Sequence, residues 1–312
     1  MSTPDDPEAP AEPGPGEISA QIQNPLRRTP SVKDVLILYL LVLAYMMYAG
    51  YLSGSFPEEN SLPSSVASML FSAGFAVIPL VYSLIRKFDL RQTFPVKLPS
   101  IKETAGGIVL ITGILVLILF LLVIISFFFP DAEDVSEELL PTILGGNIWT
   151  ALLSIAVFPA VCEEILCRGF FLSGLRGTGK KKTALVICAF MFALLHADPV
   201  RIPVPFISGL AITWAAWETG SLAVPVIMHF FNNFLTLMFA RLVMGQAGNS
   251  DIENSQAVIE ELSPALEQTA NAISAVIYIW FLCLGLVCIH AGIALIKEKR
   301  PGRKQQQFSC AE

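Results

Sequence analysis

Eight apolar runs decide what this chain can fold into. They cover roughly residues 35–54, 64–85, 105–129, 149–172, 183–198, 202–218, 221–242 and 273–297. A helix needs about 20 mostly apolar residues to cross a bilayer, and in hydrocarbon it satisfies all of its own backbone N–H and C=O groups. The composition fits no soluble core. Of 312 residues, 54% are hydrophobic and 15% are charged, against about 25% charged in ordinary soluble domains. The expected fold class is all-α, a polytopic membrane helical bundle of about eight transmembrane helices. The fifth and sixth runs are short and closely spaced, so a count of seven, with one of them re-entrant, stays open.

Charge orders the runs. Arg27, Arg28 and Lys33 precede the first; Arg86, Lys87, Arg91, Lys97 and Lys102 separate the second from the third. Arg176, Lys180, Lys181 and Lys182 separate the fourth from the fifth, and Lys297, Lys299, Arg300, Arg303 and Lys304 follow the eighth. In an eight-span count, 17 of the 20 Lys and Arg residues fall on one side. The alternate loops are acidic, with Glu58, Glu59, Asp131, Glu133, Asp134, Glu137, Glu138, Asp251, Glu253, Glu260, Glu261 and Glu267. A Lys/Arg excess marks the cytoplasmic face, so both termini are expected inside. With no organelle signal in view, the expected location is a bacterial cytoplasmic (inner) membrane.

The domain reading follows. Residues 1–31 hold seven prolines and five acidic residues, the pattern of a disordered cytoplasmic tail rather than of a cleavable signal peptide. Residues 32–300 form the transmembrane domain, with a core at about 149–242, and 301–312 form a cytoplasmic C-terminal tail. No internal repeat is evident, which counts against many transporter folds. Five of six cysteines lie in apolar runs and the sixth in the tail, so a disulfide framework is not expected. The basic residues flank apolar runs and form no patch with interleaved aromatics, which excludes nucleic acid as a partner.

Against that background a few polar groups stand out. Charged side chains in the middle of a membrane cost about 2.5–3.5 kcal/mol each and usually face a cavity or a partner. Glu163, Glu164 and Arg168 lie in the fourth run, His196 at the end of the fifth, His229, Asn232 and Asn233 in the seventh, and His290 in the eighth. Glu164 and Arg168 are four apart, acid first, the favourable order for a helical pair. Glu163 points about 100° away around the helix and has no local cation. One carboxylate is paired and the other is left over, available to accept or donate a proton. The plain alternative is that both glutamates share Arg168 in a packing salt bridge. Phe192 and His196 share a helix face, and so do His229 and Asn233. His290 has no polar neighbour at helical spacing and reads as structural. Asn232 points away from Asn233 and reads as a support for the site residues or an interhelical hydrogen bonder. Counted along the helices, Glu163 lies about 21 Å from the outer end of its span, and His229 and His196 lie about 12 Å and about 20 Å from the cytoplasmic end of theirs. The first two depths agree; the third is several ångströms off.

A free carboxylate, two imidazoles and an amide suit water activation. Glu163 and one histidine can hold and deprotonate a water, while the other histidine and Asn233 donate to a carbonyl oxygen as it becomes an oxyanion. A glutamate with two histidines is also a zinc set, although the HExxH spacing is missing. The remaining alternatives are a non-catalytic membrane immunity or scaffold protein of the same fold, and a proton-coupled transporter.

Three segments carry a resemblance. EEILCRG (163–169), FALLH (192–196) and HFFNN (229–233) resemble, in order, the EExxxR, FxxxH and HxxxN motifs of the CPBP family, the intramembrane CAAX-protease and bacteriocin-processing proteins also called the Rce1-like or Abi family. The stretch GSLAVPVIMH before the third motif is also similar. The resemblance covers about residues 149–242. It implies an intramembrane endopeptidase in which Glu163 activates water with His196, His229 and Asn233 form the oxyanion hole, and Glu164 and Arg168 orient the site; Phe192, which opens the second motif, and Asn232, from its place beside Asn233, read as supporting residues. It implies a metal-free reaction with no cofactor, zinc being the alternative. The partners it implies are the lipid bilayer and a peptide or protein substrate, lipidated and hydrophobic ones included.

Overall fold

A computed structural model of the chain describes residues 29–55, 63–128, 147–197, 202–247 and 264–298. The acidic residues at 58–59, 131–138 and 251–261, residues 1–28 of the N-terminal tail and the C-terminal tail lie outside these residues. Every described element is helical. We label the main ones α1 (Val32–Ser55), α2 (Ser64–Ile85), α3 (Ile101–Phe128), α4 (Ile148–Arg176), α5 (Lys181–Leu194), α6 (Pro203–Thr219), α7 (Ala223–Ala247) and α8 (Pro264–Lys297). A one-turn helix, Leu90–Thr93, sits between α2 and α3.

The eight helices lie on the eight apolar runs, and the chain is an integral membrane protein. Six of them, all but α5 and α6, are long and apolar enough to cross a bilayer. Their outward faces carry Leu40, Met47, Val77, Leu84, Trp280 and Val287, all exposed. A surface that apolar needs lipid rather than water as its solvent. α5 and α6 have 14 and 17 residues, or about 21 and about 25 Å at 1.5 Å per residue, less than a hydrocarbon core of about 30 Å.

The Lys/Arg-rich junctions gather at one end of the bundle. Arg86, after α2, pairs with Asp34 in the first turn of α1 at 3.2 Å. Lys102 in α3 pairs with Glu298 after α8, and Lys181 at the start of α5 pairs with Glu218 near the end of α6. Arg176 at the end of α4 donates from Nη2 to the Ala216 carbonyl at 2.8 Å. The Leu222 N–H donates to the Pro95 carbonyl at 2.7 Å, and the Lys97 N–H to Ser221 Oγ at 2.9 Å. α5 therefore leaves this end and α6 returns to it. Two short helices that go in and come back keep the same sidedness whether they count as two spans or none; the count of seven would not.

Two packing features hold the site in place. α4 is the most buried of the six long helices, and it packs against α2, α5 and α7. Its Phe170 and Phe171 are fully buried, with Tyr82, Phe88 and Tyr39 around them at ring distances of 5.6, 6.2 and 5.8 Å. On the other side, α3 and α8 approach backbone to backbone. A Cβ at Gly113 would lie 2.7 Å from the Gly285 carbonyl oxygen, and one at Gly292 would lie 2.7 Å from that of Gly106. Lipid is as apolar as leucine, so close contact between small residues, rather than hydrophobic burial, drives such pairs together.

Candidate active site

The site is built on an irregular helix. α4 is α-helical over Phe158–Glu164 but π-wound on both sides, over Leu152–Val157 and Ile165–Phe171. π segments are rare and are found often at functional sites. Pro159 contributes to this irregularity. It has no N–H to give to the carbonyl four residues back, that of Ile155. Asn233 on α7 supplies the donor instead, its Nδ2 lying 3.1 Å from the Ile155 oxygen.

The second π segment carries Arg168, which is completely buried with Glu164, its Nη1 donating to Glu164 Oε1 at 2.6 Å. The same carboxylate oxygen accepts from His229 Nδ1 at 2.8 Å. The acid–base pair read from the sequence is present, and it is a triad rather than a pair. Arg168 does not bridge both glutamates. Glu163 faces the other ring nitrogen, His229 Nε2, at 3.9 Å. Because Nδ1–H is given to Glu164, Nε2 is the nitrogen left for chemistry, and a carboxylate stands beside it.

α6 closes the back of the triad. Arg168 Nε donates to Thr213 Oγ1 at 3.2 Å and Nη2 to the Gly209 carbonyl at 3.0 Å. Thr213 Oγ1–H in turn donates to that carbonyl at 2.6 Å. Phe192 on α5 covers the guanidinium face at 4.6 Å. Gly209 lets the phenyl ring in, since a Cβ there would meet Phe192 Cδ1 at 2.8 Å. Thr213 and Gly209 were missed from the sequence. Their only signal was a hydroxyl and a glycine, four apart, on an apolar helix.

Phe192 also joins the two imidazoles. His196 and His229 both meet its ring edge-to-face, at 4.9 and 5.7 Å. His196 sits where α5 ends. Its own N–H bonds the Ala193 carbonyl, and the Phe192 carbonyl, which already takes the Leu195 N–H, also accepts from its Nδ1 at 3.2 Å. Its Nε2 is then an acceptor. Ala197, the next residue, has φ of 53° and turns the chain away. His196 is exposed and makes no hydrogen bond to either glutamate among the described residues. Asn232 Nδ2 donates to Asn233 Oδ1 at 3.1 Å, which fixes the orientation of the Asn233 amide. His290 is exposed on α8 and has no described hydrogen bond.

Among the described residues no group of three or more His, Cys, Asp and Glu is placed to hold a metal ion. Glu164 Oε1 is shared between Arg168 and His229, so a cation there would sit against a guanidinium.

A comparison with curated proteins and one with solved structures give no match to this chain. A comparison with protein families does. Residues 145–235 match the model described as Type II CAAX prenyl endopeptidase Rce1-like. The match takes in all of α4 to α6 and the part of α7 that carries His229, Asn232 and Asn233. Over this stretch of the membrane bundle the chain is similar to the Rce1-like, CAAX-protease family.

Proposed function

We propose that the protein is an intramembrane endopeptidase that hydrolyses a peptide bond with a water activated by Glu163 and His196, and stabilises the oxyanion with His229 and Asn233. The observation that carries this reading is the division of labour between adjacent glutamates. Glu164 is spent on Arg168 and His229, whereas among the described residues the polar partner of Glu163 is the far ring nitrogen of His229, at 3.9 Å. A catalytic base must be free to take a proton, and Glu163 is the carboxylate that is free.

The charges support the rest. Ionised, Glu163, Glu164 and Arg168 sum to one negative charge. In the resting protein the ring proton of His229 sits on Nδ1; a second proton, added at Nε2 as the substrate binds, brings the cluster to neutrality and makes Nε2 the charged donor an oxyanion needs. Asn233 uses one amide hydrogen on Ile155 and keeps the other for the same oxygen. His196, held through Nδ1, presents Nε2 to hold the water against Glu163. When the C–N bond breaks, the proton collected by the base passes to the leaving amine. The substrate is a peptide segment of the kind that reaches a membrane site, hydrophobic or lipidated. The cytoplasmic half of the bilayer is its expected point of entry.

The test is cleavage of prenylated and plain fluorogenic peptides by the purified protein in detergent, with and without chelator. Cleavage is expected to survive chelation and to be lost in Glu163→Gln and His229→Ala. Cleavage that chelation removes and zinc restores would replace the metal-free mechanism with a zinc one. A protein that cleaves nothing, from any peptide or membrane fraction offered, would be the immunity or scaffold protein of the same fold.

A further inference from the structure

The buried contacts behind the triad point to a residue that none of the three motifs contains. α6 supplies no motif residue, yet its Thr213 is completely buried and holds two of the groups that matter. Its hydroxyl accepts from Arg168 Nε at 3.2 Å and donates to the Gly209 carbonyl at 2.6 Å. That carbonyl also accepts from Arg168 Nη2 at 3.0 Å. The guanidinium is thus gripped along one edge by a hydroxyl and a carbonyl that are themselves bonded together. Its opposite corner, Nη1, is the one that meets Glu164 at 2.6 Å. With Phe192 over its face at 4.6 Å, Arg168 can neither turn nor slide.

We infer that Thr213 is a positioning residue for the site, acting through Arg168 and Glu164 to fix the ring orientation and tautomer of His229. Each link is short: Thr213 to Arg168, Arg168 to Glu164, and Glu164 to His229 Nδ1 at 2.8 Å. Removing the hydroxyl leaves Nε without an acceptor in a dry interior, a state that a buried donor does not tolerate. The guanidinium then rotates to find one and takes Nη1 with it. Glu164 Oε1, freed on one side, no longer holds Nδ1–H of His229 in one place. The ring is then free to present either nitrogen to Glu163. Thr213 touches no reacting atom, so it positions rather than reacts.

The activity part of this inference rests on the hydrolase reading; the tautomer part does not. The experiment uses the full chain in lipid bilayers, labelled with 15N-histidine, with the three histidine signals assigned by single substitution. In the parent protein His229 is expected to give the signature of a ring protonated at Nδ1. Thr213→Val keeps the shape and loses the hydroxyl. It is expected to mix the His229 tautomers while the His196 and His290 signals stay where they are, and Thr213→Ser is expected to restore the parent spectrum. On peptide cleavage, Thr213→Val is expected to lower kcat by about tenfold with little change in KM, the size typical of residues that orient a reacting ligand. An unchanged His229 signal in Thr213→Val overturns the inference. So does a change shared equally by all three histidines, which would mean general loosening. Thr213→Ala is read in the same way should the valine variant not fold. If the parent protein cleaves no peptide, the hydrolase reading falls and the histidine signals alone decide the inference, in the same two directions.

Discussion

At the residue scale, two neighbouring glutamates do opposite things, and stability should separate them. Glu164 is buried in a hydrogen-bonded ion pair, and removing one member of such a pair leaves a buried charge alone, at a cost of about 3–5 kcal/mol. Glu164→Gln is therefore expected to lose thermal stability in detergent as well as activity. Glu163 is only partly buried and shares no ion pair with Arg168. Glu163→Gln is expected to lose activity while its stability stays within about 1 kcal/mol of the parent. Thermal unfolding of the two variants side by side checks this; equal losses would mean that Glu163 is also structural. The distinction between them was legible in the sequence, because helical spacing alone gives Glu164 a cation and denies Glu163 one. The link from Glu164 to His229 was not. It joins residues 65 apart, and no spacing rule reaches across helices.

At the element scale, the positions of the helices were legible and their winding was not. Apolar length located each run, because a bilayer demands length. Apolar periodicity carries no such signal for α4, a helix apolar nearly all the way round. The one visible mark was Pro159, which removes an N–H from the middle of the span, and Asn233 answers it at 3.1 Å. Pro159→Ala would return that N–H and let α4 satisfy Ile155 within the helix. The variant is expected to be at least as stable as the parent, since a helix-interior proline is removed. It is also expected to turn over more slowly, by about tenfold, if Asn233 is the proposed oxyanion donor, because a less constrained amide donates less well. A kcat unchanged by Pro159→Ala would mean that Asn233 is held by Asn232 alone. The end of α5 was opaque for a related reason. Regular helical spacing leaves His196 several ångströms from the depth of Glu163 and His229, and it carries no sign of how the helix ends. The chain instead tightens at Leu195 and His196 and turns through Ala197 at positive φ.

At the scale of the whole molecule, charge carries the information that hydropathy lacks. Hydropathy leaves the number of crossings at six, seven or eight, because α5 and α6 are too short to decide it. The ion pairs and backbone contacts decide the parity, since Asp34, Arg86, Lys97, Lys102, Arg176, Lys181, Glu218 and Glu298 meet at one end. An even count is the one that leaves the start of α1 and the end of α8 at that end, and the Lys/Arg excess makes it the expected cytoplasmic end. The expectation can be checked with single cysteines in a background that lacks the six native ones. Cysteines at Thr178 and Glu298, beside the basic junctions, should react with an impermeant maleimide only when the cytoplasmic face is open to it. Cysteines at Pro63 and Asn147, where α2 and α4 begin at the opposite end, should react from outside in intact cells. Labelling of Thr178→Cys and Glu298→Cys from opposite faces would require an odd number of crossings between them. That would mean α5 and α6 do not return to the end they leave, and the pairing of Lys181 with Glu218 across their bases would have to be wrong. Since α6 holds Arg168 through Thr213 and Gly209, a change in its course would also dismantle the back wall of the site. The topology measurement therefore tests the scaffold on which the proposed chemistry depends.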